Sequence, residues 1–389
     1  MTTWKLSLVQ VLGASALGVV LGGWLKRRLP ILDRLNIPTS IAGGMVYAIL
    51  ALALHDRVVN LEPDTLLRDL LLIAFMTTVG LSARFQLLRE GGKKLVVLLA
   101  VSSVGAVLQN LLGIGLAKAL FIDPRLGILA GSVALTGGPG TAVAFGGTFQ
   151  KMGVAGAEVV GMASATFGIA VAGLLGGYVG GWLVRRHKLK SSGATADPAK
   201  IEKEEDSLVT TVLVIAIAMG LGNLLSGALE RAGLILPPYI GAMIVAAAIR
   251  NLNDSFHFAT ISQADVNQCG RIALNLFIVM ALIALKLWEL AHLALPMIAI
   301  LAAQVLLCIA MCVTMVFWAM GRNYESAVES AGFCGYMLGI TANAVACMEE
   351  LVEKYGAAPE AFLVVPVVGA FLIDFSNSLI ITTMANLLR

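Results

Sequence analysis

Two short stretches of glycine, hydroxyl and amide residues interrupt long apolar runs in this chain. The first is Thr136–Thr141, which reads Thr-Gly-Gly-Pro-Gly-Thr, and the second is Gly339–Asn343, which reads Gly-Ile-Thr-Ala-Asn. A helix that faces lipid could not leave the backbone groups of such a turn without partners. We therefore expect each stretch to be the tip of a re-entrant hairpin, in which two half-helices enter a membrane from one side.

The two tips predict a site for a small anion. A half-helix begins with free N–H groups and the positive end of the helix dipole, and both attract a carboxylate. The candidate substrate-binding residues are the glycines of the two tips and the tip residues with a hydroxyl or amide group. They are Thr136, Gly137, Gly138, Gly140, Thr141, Gly339, Thr341 and Asn343. Close helix packing through small residues is the alternative interpretation of the glycines.

Asp374 is the most informative single residue, because it stands in the otherwise uncharged run Val367–Thr383. An ionised carboxylate at the centre of a bilayer costs ~2.5–3.5 kcal/mol on the insertion scale, so such a residue is usually functional or paired. Asn377 and Ser378 add oxygen atoms within one helical turn, and sodium prefers oxygen ligands. The segment predicts sodium binding or coupling, with a structural tie to a neighbouring helix as the alternative.

Four further polar residues are lower-ranked candidates. Gln109, Asn110 and Gln304 could line a transport path, although lone amides often only join helices, at ~1 kcal/mol or less. Arg84 lies near the end of an apolar run and could bind a carboxylate through two hydrogen bonds.

No cofactor, and no metal other than sodium, is expected. The five cysteines have neither a CxxC spacing nor histidines at ligand spacing, so they are interpreted as small apolar packing residues. The four histidines lie in loops or at the ends of apolar runs, without a HExxH or GxSxG motif. An intramembrane enzyme is therefore not expected.

The composition indicates a polytopic membrane protein. Of the 389 residues, 58% are hydrophobic and 13% are charged. The mean hydropathy of +0.89 is too high for a soluble domain of this length. The formal charge of +3 is small and scattered, so a nucleic-acid partner is not expected.

Ten apolar runs provide the elements that must position the two tips. They are approximately Leu8–Leu25, Ile41–Leu54, Leu67–Leu81, Leu95–Leu120, Val159–Val184, Leu208–Leu229, Tyr239–Ile249, Ile272–Leu290, Leu293–Met320 and Phe362–Met384. Ile37–Met45 and Leu236–Met243 resemble each other in sequence, which indicates that the second half of the chain repeats the first.

The runs and hairpins divide the chain into two matching halves. Residues 1–184 hold five runs and a hairpin at about 126–148; a hydrophilic linker covers 185–206; residues 207–389 hold five runs and a hairpin at about 325–348. Because five crossings are an odd number, the second half enters the membrane upside down, as in secondary transporters. The predicted fold is an all-α polytopic membrane protein with inverted five-helix repeats, ten spans and two re-entrant hairpins.

Lys and Arg are unequally divided between the two sets of loops that alternate along ten spans. One set holds 18 and the other 9 of the 27 basic residues. Basic residues favour the cytoplasmic side of a membrane. The linker is therefore predicted to be cytoplasmic, both termini are predicted to be periplasmic, and the two hairpins enter from opposite sides.

Four motifs resemble the bacterial sodium/glutamate symporter family: Thr136–Thr141, Leu285–Ala291, Met320–Tyr324 and Phe362–Asp374. The resemblance runs nearly end to end. It implies sodium-driven uptake of L-glutamate across the bacterial inner membrane. It also implies a homodimer in which a mobile domain carries both hairpins past a scaffold in an elevator-type movement. A sodium- or proton-coupled symporter of a related dicarboxylate or amino acid is the alternative, and a passive channel is a remote one.

Overall fold

The computed structural model describes residues 3–35, 37–57, 59–84, 92–191, 208–231, 238–290 and 293–388. Its regular structure is almost entirely helical. The first eight helices are α1 (Leu8–Arg28), α2 (Pro30–Arg34), α3 (Thr39–Leu54), α4 (Leu66–Ser82), α5 (Gly92–Ala119), α6 (Pro124–Ile128), α7 (Gly138–Lys151) and α8 (Ala157–His187). One small sheet pairs β1 (Thr3–Leu6) with β2 (Asn60–Pro63) in parallel, with Thr3 opposite Asn60.

The second half of the chain adds nine helices to the described structure. They are α9 (Leu208–Arg231), α10 (Pro238–Phe256), α11 (Gln263–Ile283), α12 (Ala294–Met311), α13 (Phe317–Ala319), α14 (Tyr324–Leu338), α15 (Thr341–Tyr355), α16 (Pro359–Val367) and α17 (Ile373–Leu387). Widened π-helical turns link α6 to the first tip (Leu129–Val133), α12 to α13 (Cys312–Val316) and α16 to α17 (Val368–Leu372). A short 3₁₀ turn covers Leu287–Leu290.

Each of the ten predicted spans contains a helix in the described residues. Seven helical stretches there are long and apolar enough to cross a membrane: Leu8–Arg28, Gly92–Ala119, Ala157–His187, Leu208–Arg231, Gln263–Ile283, Ala294–Ala319 and Pro359–Leu387. The helices in the other three predicted spans, which are α3, α4 and α10, are shorter or have a polar end. Seven such stretches are consistent with a multi-pass membrane protein, while ten crossings stay a prediction.

The predicted span Ile272–Leu290 is wrong at both ends. The helix α11 begins at Gln263 and ends at Ile283. Its start is fixed by Ser262, whose hydroxyl accepts a hydrogen bond from the backbone N–H of Asp265. Hydropathy alone misses this beginning because the first turns of α11 are polar. Similarly, α8 continues to His187, two residues beyond the predicted start of the linker, and residues 192–207 lie outside the described part of the chain.

The chain forms two compact units that alternate along the sequence. The first unit comprises Met1–Ser82, Pro139–Ala163 and Glu205–Leu295, and the second comprises Ala83–Gly138, Ser164–Glu204 and Pro296–Arg389. Each unit thus takes segments from both sides of the predicted linker. The chain passes from the second unit into the first at the peptide bond between Gly138 and Pro139, inside the first predicted tip.

In the first unit, two sets of three helices make the same pattern of contacts. Helix α1 packs on α3 as α9 packs on α10, α3 packs on α11 as α10 packs on α4, and α4 and α11 pack on each other. Glycines allow the closest approaches: a methyl group on Gly22 would lie 1.9 Å from the carbonyl oxygen of Thr39, and one on Gly222 would lie 2.1 Å from Cα of Ala242. Leu81, Ile215 and Val266 belong to an apolar core in this unit.

In the second unit, α5 packs against α6, the first π-helical turn, α16 and α17. Helices α14 and α15 fold back on each other, and the Tyr324 hydroxyl at the start of α14 donates to the Gly356 carbonyl just after α15. The second predicted hairpin is therefore a folded-back helix pair whose break lies at Gly339–Ile340. The helix pair runs from 324 to 355 and includes the predicted 325–348, while its re-entrant course in a membrane stays a prediction.

The first predicted hairpin, expected at about 126–148, stays a prediction, because α6 and the turn before Pro139 belong to the second unit and the rest of α7 belongs to the first. Asp123 is the N-cap of α6: its carboxylate accepts from the backbone N–H of Arg125 at 2.9 Å. The Arg125 guanidinium also bonds this carboxylate and holds the pKa of Asp123 below its usual value. After α6, the backbone leaves helical geometry at Gly131 and turns through Ala134–Gly137 before α7 begins.

Candidate ligand site in the second unit

Gly138, in the first predicted tip, lies close to the second predicted tip inside the second unit. A methyl group on Gly138 would lie 3.3 Å from Cγ2 of Ile340 and 3.9 Å from the carbonyl oxygen of Gly339. Gly138 has a φ of +66°, in the left-handed region that favours glycine. Glycine at position 138 is therefore favoured by the local backbone conformation and by the close contact with the second tip.

Gln109 on α5 connects both tips. Its side-chain Nε2 donates to the Met337 carbonyl at 2.9 Å, and its Oε1 accepts from the Thr136 hydroxyl at 2.6 Å. The Gln304 Nε2 on α12 donates to the backbone oxygen of Gln109 at 2.7 Å. All of these side chains are buried. Gln109 and Gln304 therefore hold the tips in place, which agrees with the alternative of amides that join helices.

Ser132, in the π-helical turn before the first tip, is held by two asparagines. Its backbone N–H donates to Asn110 Oδ1 at 3.0 Å, and its carbonyl accepts from Asn377 Nδ2 at 2.9 Å. The Gly137 N–H also donates to this carbonyl, so it points into the turn. The arrangement brings together the predicted ion-binding residue Asn377 and the lower-ranked candidate Asn110.

Three polar side-chain atoms around Ser132 have no hydrogen-bond partner among the described residues. They are Asn110 Nδ2, Ser132 Oγ and Asn377 Oδ1, and all three side chains are buried. Leaving a buried polar group unpaired costs ~1–3 kcal/mol. Two of the atoms are oxygens of the kind that binds a hard cation, so Ser132 and Asn377 are the candidate sodium ligands with the clearest geometric support.

The second tip has a similar arrangement. Asn343 Nδ2 donates to the Ile169 carbonyl at 2.9 Å, and its Oδ1 has no partner among the described residues. The Thr341 hydroxyl donates to the Gly369 carbonyl at 2.8 Å, in the π-helical turn before α17. Helix α15 begins at Thr341, and the N–H groups of Asn343 and Ala344 donate to the Ile340 carbonyl. The first-turn N–H groups left for a ligand are therefore at most those of Thr341 and Ala342, and Ala342 is exposed.

Asp374 and Ser378 lie on one face of α17. The Ser378 hydroxyl donates to the Asp374 backbone carbonyl at 2.8 Å and is thus satisfied within its own helix. The Asp374 side chain is half-buried, and in the described part of the chain its carboxylate has neither a hydrogen bond nor a salt bridge. Both roles predicted for Asp374, sodium coupling and a structural tie, stay predictions.

The structure does not gather every predicted residue. Gly140 and Thr141 follow the boundary at Pro139 and belong to the first unit. A methyl group on Gly140 would lie 2.7 Å from Cε1 of Phe75, so close packing explains this glycine. Arg84 is half-buried and follows the end of α4. The next residues, 85–91, lie outside the described structure. The predicted role of Arg84 in binding a carboxylate stays a prediction.

The described part of one motif that carried the resemblance, residues 285–290 of Leu285–Ala291, lies in the first unit, where a cavity of about 670 Å³ is found. Leu285, Lys286 and Trp288 line this cavity together with Arg68, which bridges Asp69 at 3.0 Å and Glu158 at 3.4 Å. The motif therefore borders a charged cavity, although the candidate ligand site described above is in the second unit.

Comparison with known proteins identifies the family. The family model of the sodium/glutamate symporter matches residues 4–357. The chain is 38% identical to the sodium/glutamate symporter of Escherichia coli K12, over 97% of both chains. It is 33% identical to that of Haemophilus influenzae, over 97% of this chain and 96% of the relative. This chain belongs to the sodium/glutamate symporter family.

The sodium/glutamate symporter resemblance seen in the sequence is thus confirmed, over almost the whole chain. The match to the family model ends at residue 357, before Asp374 and Asn377, whereas the alignments with the relatives cover 97% of the chain. Among solved structures, the sodium proton antiporter MjNhaP1 from Methanocaldococcus jannaschii aligns over 98% of each chain, with 16% identity and a TM-score of 0.44.

Sequence reasoning missed two features of this sodium/glutamate symporter family member. Ser132 lay within an apparently ordinary apolar run, although its position just before the Gly-Gly-Pro break could have drawn attention. Cys308, Cys312 and Cys334 were interpreted as separate packing residues, yet they are buried with their Sγ atoms within 4.8 Å of one another. The i, i+4 spacing of the first two was the available signal, and such a set of thiols could hold a soft metal ion.

Proposed function

We propose that this chain drives uptake of L-glutamate with sodium across the bacterial inner membrane. The observation that carries the proposal is the 38% identity to the sodium/glutamate symporter of Escherichia coli over 97% of both chains. Seven apolar helices of spanning length support a multi-pass location. Membership of this transporter family also argues against an enzymatic activity.

In the proposed mechanism, sodium binds to oxygens beside the first tip. Ser132 Oγ and Asn377 Oδ1 supply buried oxygens without other partners, and Asp374, one turn before Asn377 on α17, supplies a carboxylate charge. Sodium would thereby stabilise one conformation of the π-helical turn Leu129–Val133. Because Gln109 ties Thr136 to Met337, the same conformation would fix the second tip. Sodium occupancy could in this way control substrate affinity.

The substrate carboxylates are proposed to bind at the second tip. The first turn of α15 offers N–H groups and the positive end of a helix dipole, and Asn343 Oδ1 can accept a hydrogen bond from an ammonium group. A site that satisfies both charges would favour an amino acid over citrate. A sodium- or proton-coupled symporter of a related dicarboxylate or amino acid remains the second candidate, and a passive channel remains the remote one.

We further propose inverted repeats and an elevator-type movement. The matching contacts of α1, α3 and α4 with α9, α10 and α11 support the repeat, and the division into two compact units supports a moving part and a scaffold. The second unit, which contains the helix pair α14–α15, is the proposed moving part. Periplasmic termini and a homodimer belong to the same proposal and rest on the Lys/Arg distribution and the family resemblance.

Uptake into liposomes tests this function. Purified protein would be reconstituted, and accumulation of radiolabelled glutamate, aspartate, glutamine and citrate would be followed with and without an inward sodium gradient. We expect glutamate to accumulate against its own gradient only when sodium is present. Accumulation of another substrate alone would favour the second candidate. Equilibration without accumulation would contradict symport and would indicate a channel.

A further inference from the structure

Glu329, in the middle of α14, is a fully buried carboxylate that the proposed transport site does not use. Its residue exposure is 0%, and both Oε1 and Oε2 lack a hydrogen-bond partner among the described residues. The sequence does not indicate this burial, because the segment Tyr324–Leu338 is not strongly apolar at its start. A buried acid without partners inside a membrane helix bundle is an expected place for ion or proton binding.

Three charged residues at one end of the second unit act electrostatically on Glu329: Lys94, Glu360 and Glu325. Lys94 Nζ, on the first turn of α5, pairs with Glu360 Oε2 at 2.6 Å, on the first turn of α16. Glu325, one turn before Glu329, accepts from the Ala361 backbone N–H at 2.9 Å. Tyr336, two turns further along α14, also lies within electrostatic range, but its hydroxyl is bonded to Ser102.

These surroundings favour a proton over a metal ion. An ionised carboxylate without hydrogen bonds is very costly in an apolar interior, and such a group usually becomes neutral instead. Lys94, whose positive charge acts on Glu329, would repel a metal ion but does not oppose a neutral acid. Glu325 and Glu360 are already engaged, one as a helix cap and one in an ion pair, so Glu329 is the one member of this cluster with both oxygens unused in the described structure.

We propose that Glu329 is a proton-binding site whose ionised form is stabilised by Lys94 after Lys94 leaves Glu360. In the described arrangement Glu329 holds the proton and Lys94 pairs with Glu360. On release, the proton passes to water beside the partly exposed Lys94–Glu360 pair, and Lys94 turns to the new Glu329 carboxylate. Glu360, whose side chain is 45% exposed, is left ionised in contact with water. The charge of the cluster falls by one with each proton released.

The inference rests on the proposed transport only for its uptake assay, because proton binding can be measured separately. Infrared spectra of the purified protein, compared between mildly acidic and alkaline buffers, would report the carboxylic acid C=O band. We expect a buried-acid band that disappears at high pH in the wild type, is absent in Glu329→Gln and is kept in Asp374→Asn, which removes another carboxylate of the second unit that lacks a partner in the described structure. Glu353→Gln is the matched control, because Glu353 is exposed on α15 of the same unit. It should keep the wild-type spectrum.

The dependence of the uptake rate on pH tests whether Glu329 acts in transport. With a fixed sodium gradient, the wild type and Glu353→Gln should show a one-proton step in rate against pH, and Glu329→Gln should be flat. Lys94→Met removes the cation that stabilises the ionised Glu329 carboxylate, so the midpoint of the step should shift to higher pH. Each pH unit of that shift corresponds to a tenfold gain in proton affinity. A wild-type step or band retained in Glu329→Gln would overturn the inference. If no variant transports while the infrared result holds, the transport proposal fails and the proton site stands.

Discussion

Gly138→Val is expected to abolish uptake while the protein still folds in the membrane. Valine at this position meets two obstacles. The left-handed φ of +66° costs an L-residue about 1–2 kcal/mol, and more for a β-branched one. A Cβ would also lie 3.3 Å from Cγ2 of Ile340, so the second tip would have to give way by a few tenths of an ångström. Valine adds two further methyl groups beyond that Cβ.

Gly153→Val separates these two effects. Gly153 has a φ of +89°, yet a methyl group there would meet nothing within 4 Å. Both variants should therefore lose a similar amount of stability from the backbone, about 1–2 kcal/mol in the free energy of unfolding. Only Gly138→Val should lose sodium-driven uptake, because only there does the added side chain push on the opposite tip.

A double variant tests the contact itself. Gly138→Ala keeps the backbone strain and the contact with Ile340 but lacks the two further methyl groups of valine, and Ile340→Ala removes the atom that the new Cβ approaches. If the tip contact limits transport, Gly138→Ala should reduce uptake and the added Ile340→Ala should restore part of it, which is a coupling that independent sites do not show. Normal uptake kinetics in Gly138→Val would refute the reasoning and leave the first tip as a packing element.

The remaining predictions concern the ion site, the topology and the start of the first hairpin. Asp374→Asn should lower the apparent sodium affinity steeply and the substrate affinity at saturating sodium less, as measured by paired titrations; an unchanged sodium midpoint would leave Asp374 as a structural residue. Asn377→Leu should weaken sodium binding similarly, because it removes a buried oxygen, and sodium affinity equal to the wild type would exclude Asn377 as a ligand. Cysteine at the exposed Lys190 should resist an impermeant thiol reagent in intact cells, and labelling there would reverse the predicted orientation. Asp123→Asn should cost about 1 kcal/mol through the weakened cap and ion pair. Because the folded pKa of Asp123 is lowered, its contribution is present above the ordinary Asp range and is lost as pH falls through the lowered value, and a wild-type acid unfolding curve in the variant would contradict this.

The family, most of the helices, the start of α7 and the second helix break could be predicted from the sequence. They depend on local chemistry: long apolar runs form helices of spanning length, and Gly137–Gly140 contains the glycine and proline with which α7 begins. The start of α15 at Thr341 likewise follows the glycine at 339. The residues that match a known family are also local in the chain, so the motif match needed no knowledge of packing.

The tertiary structure alone decided which polar residues meet. Asn377 reaches Ser132 across 245 residues, and Gln109 reaches Met337 across 228. The grouping of Cys308 and Cys312 with Cys334 and the burial of Glu329 were equally invisible. Helix periodicity gives the face on which a side chain lies but not the partner that faces it. That partner is set by how helices distant in sequence pack.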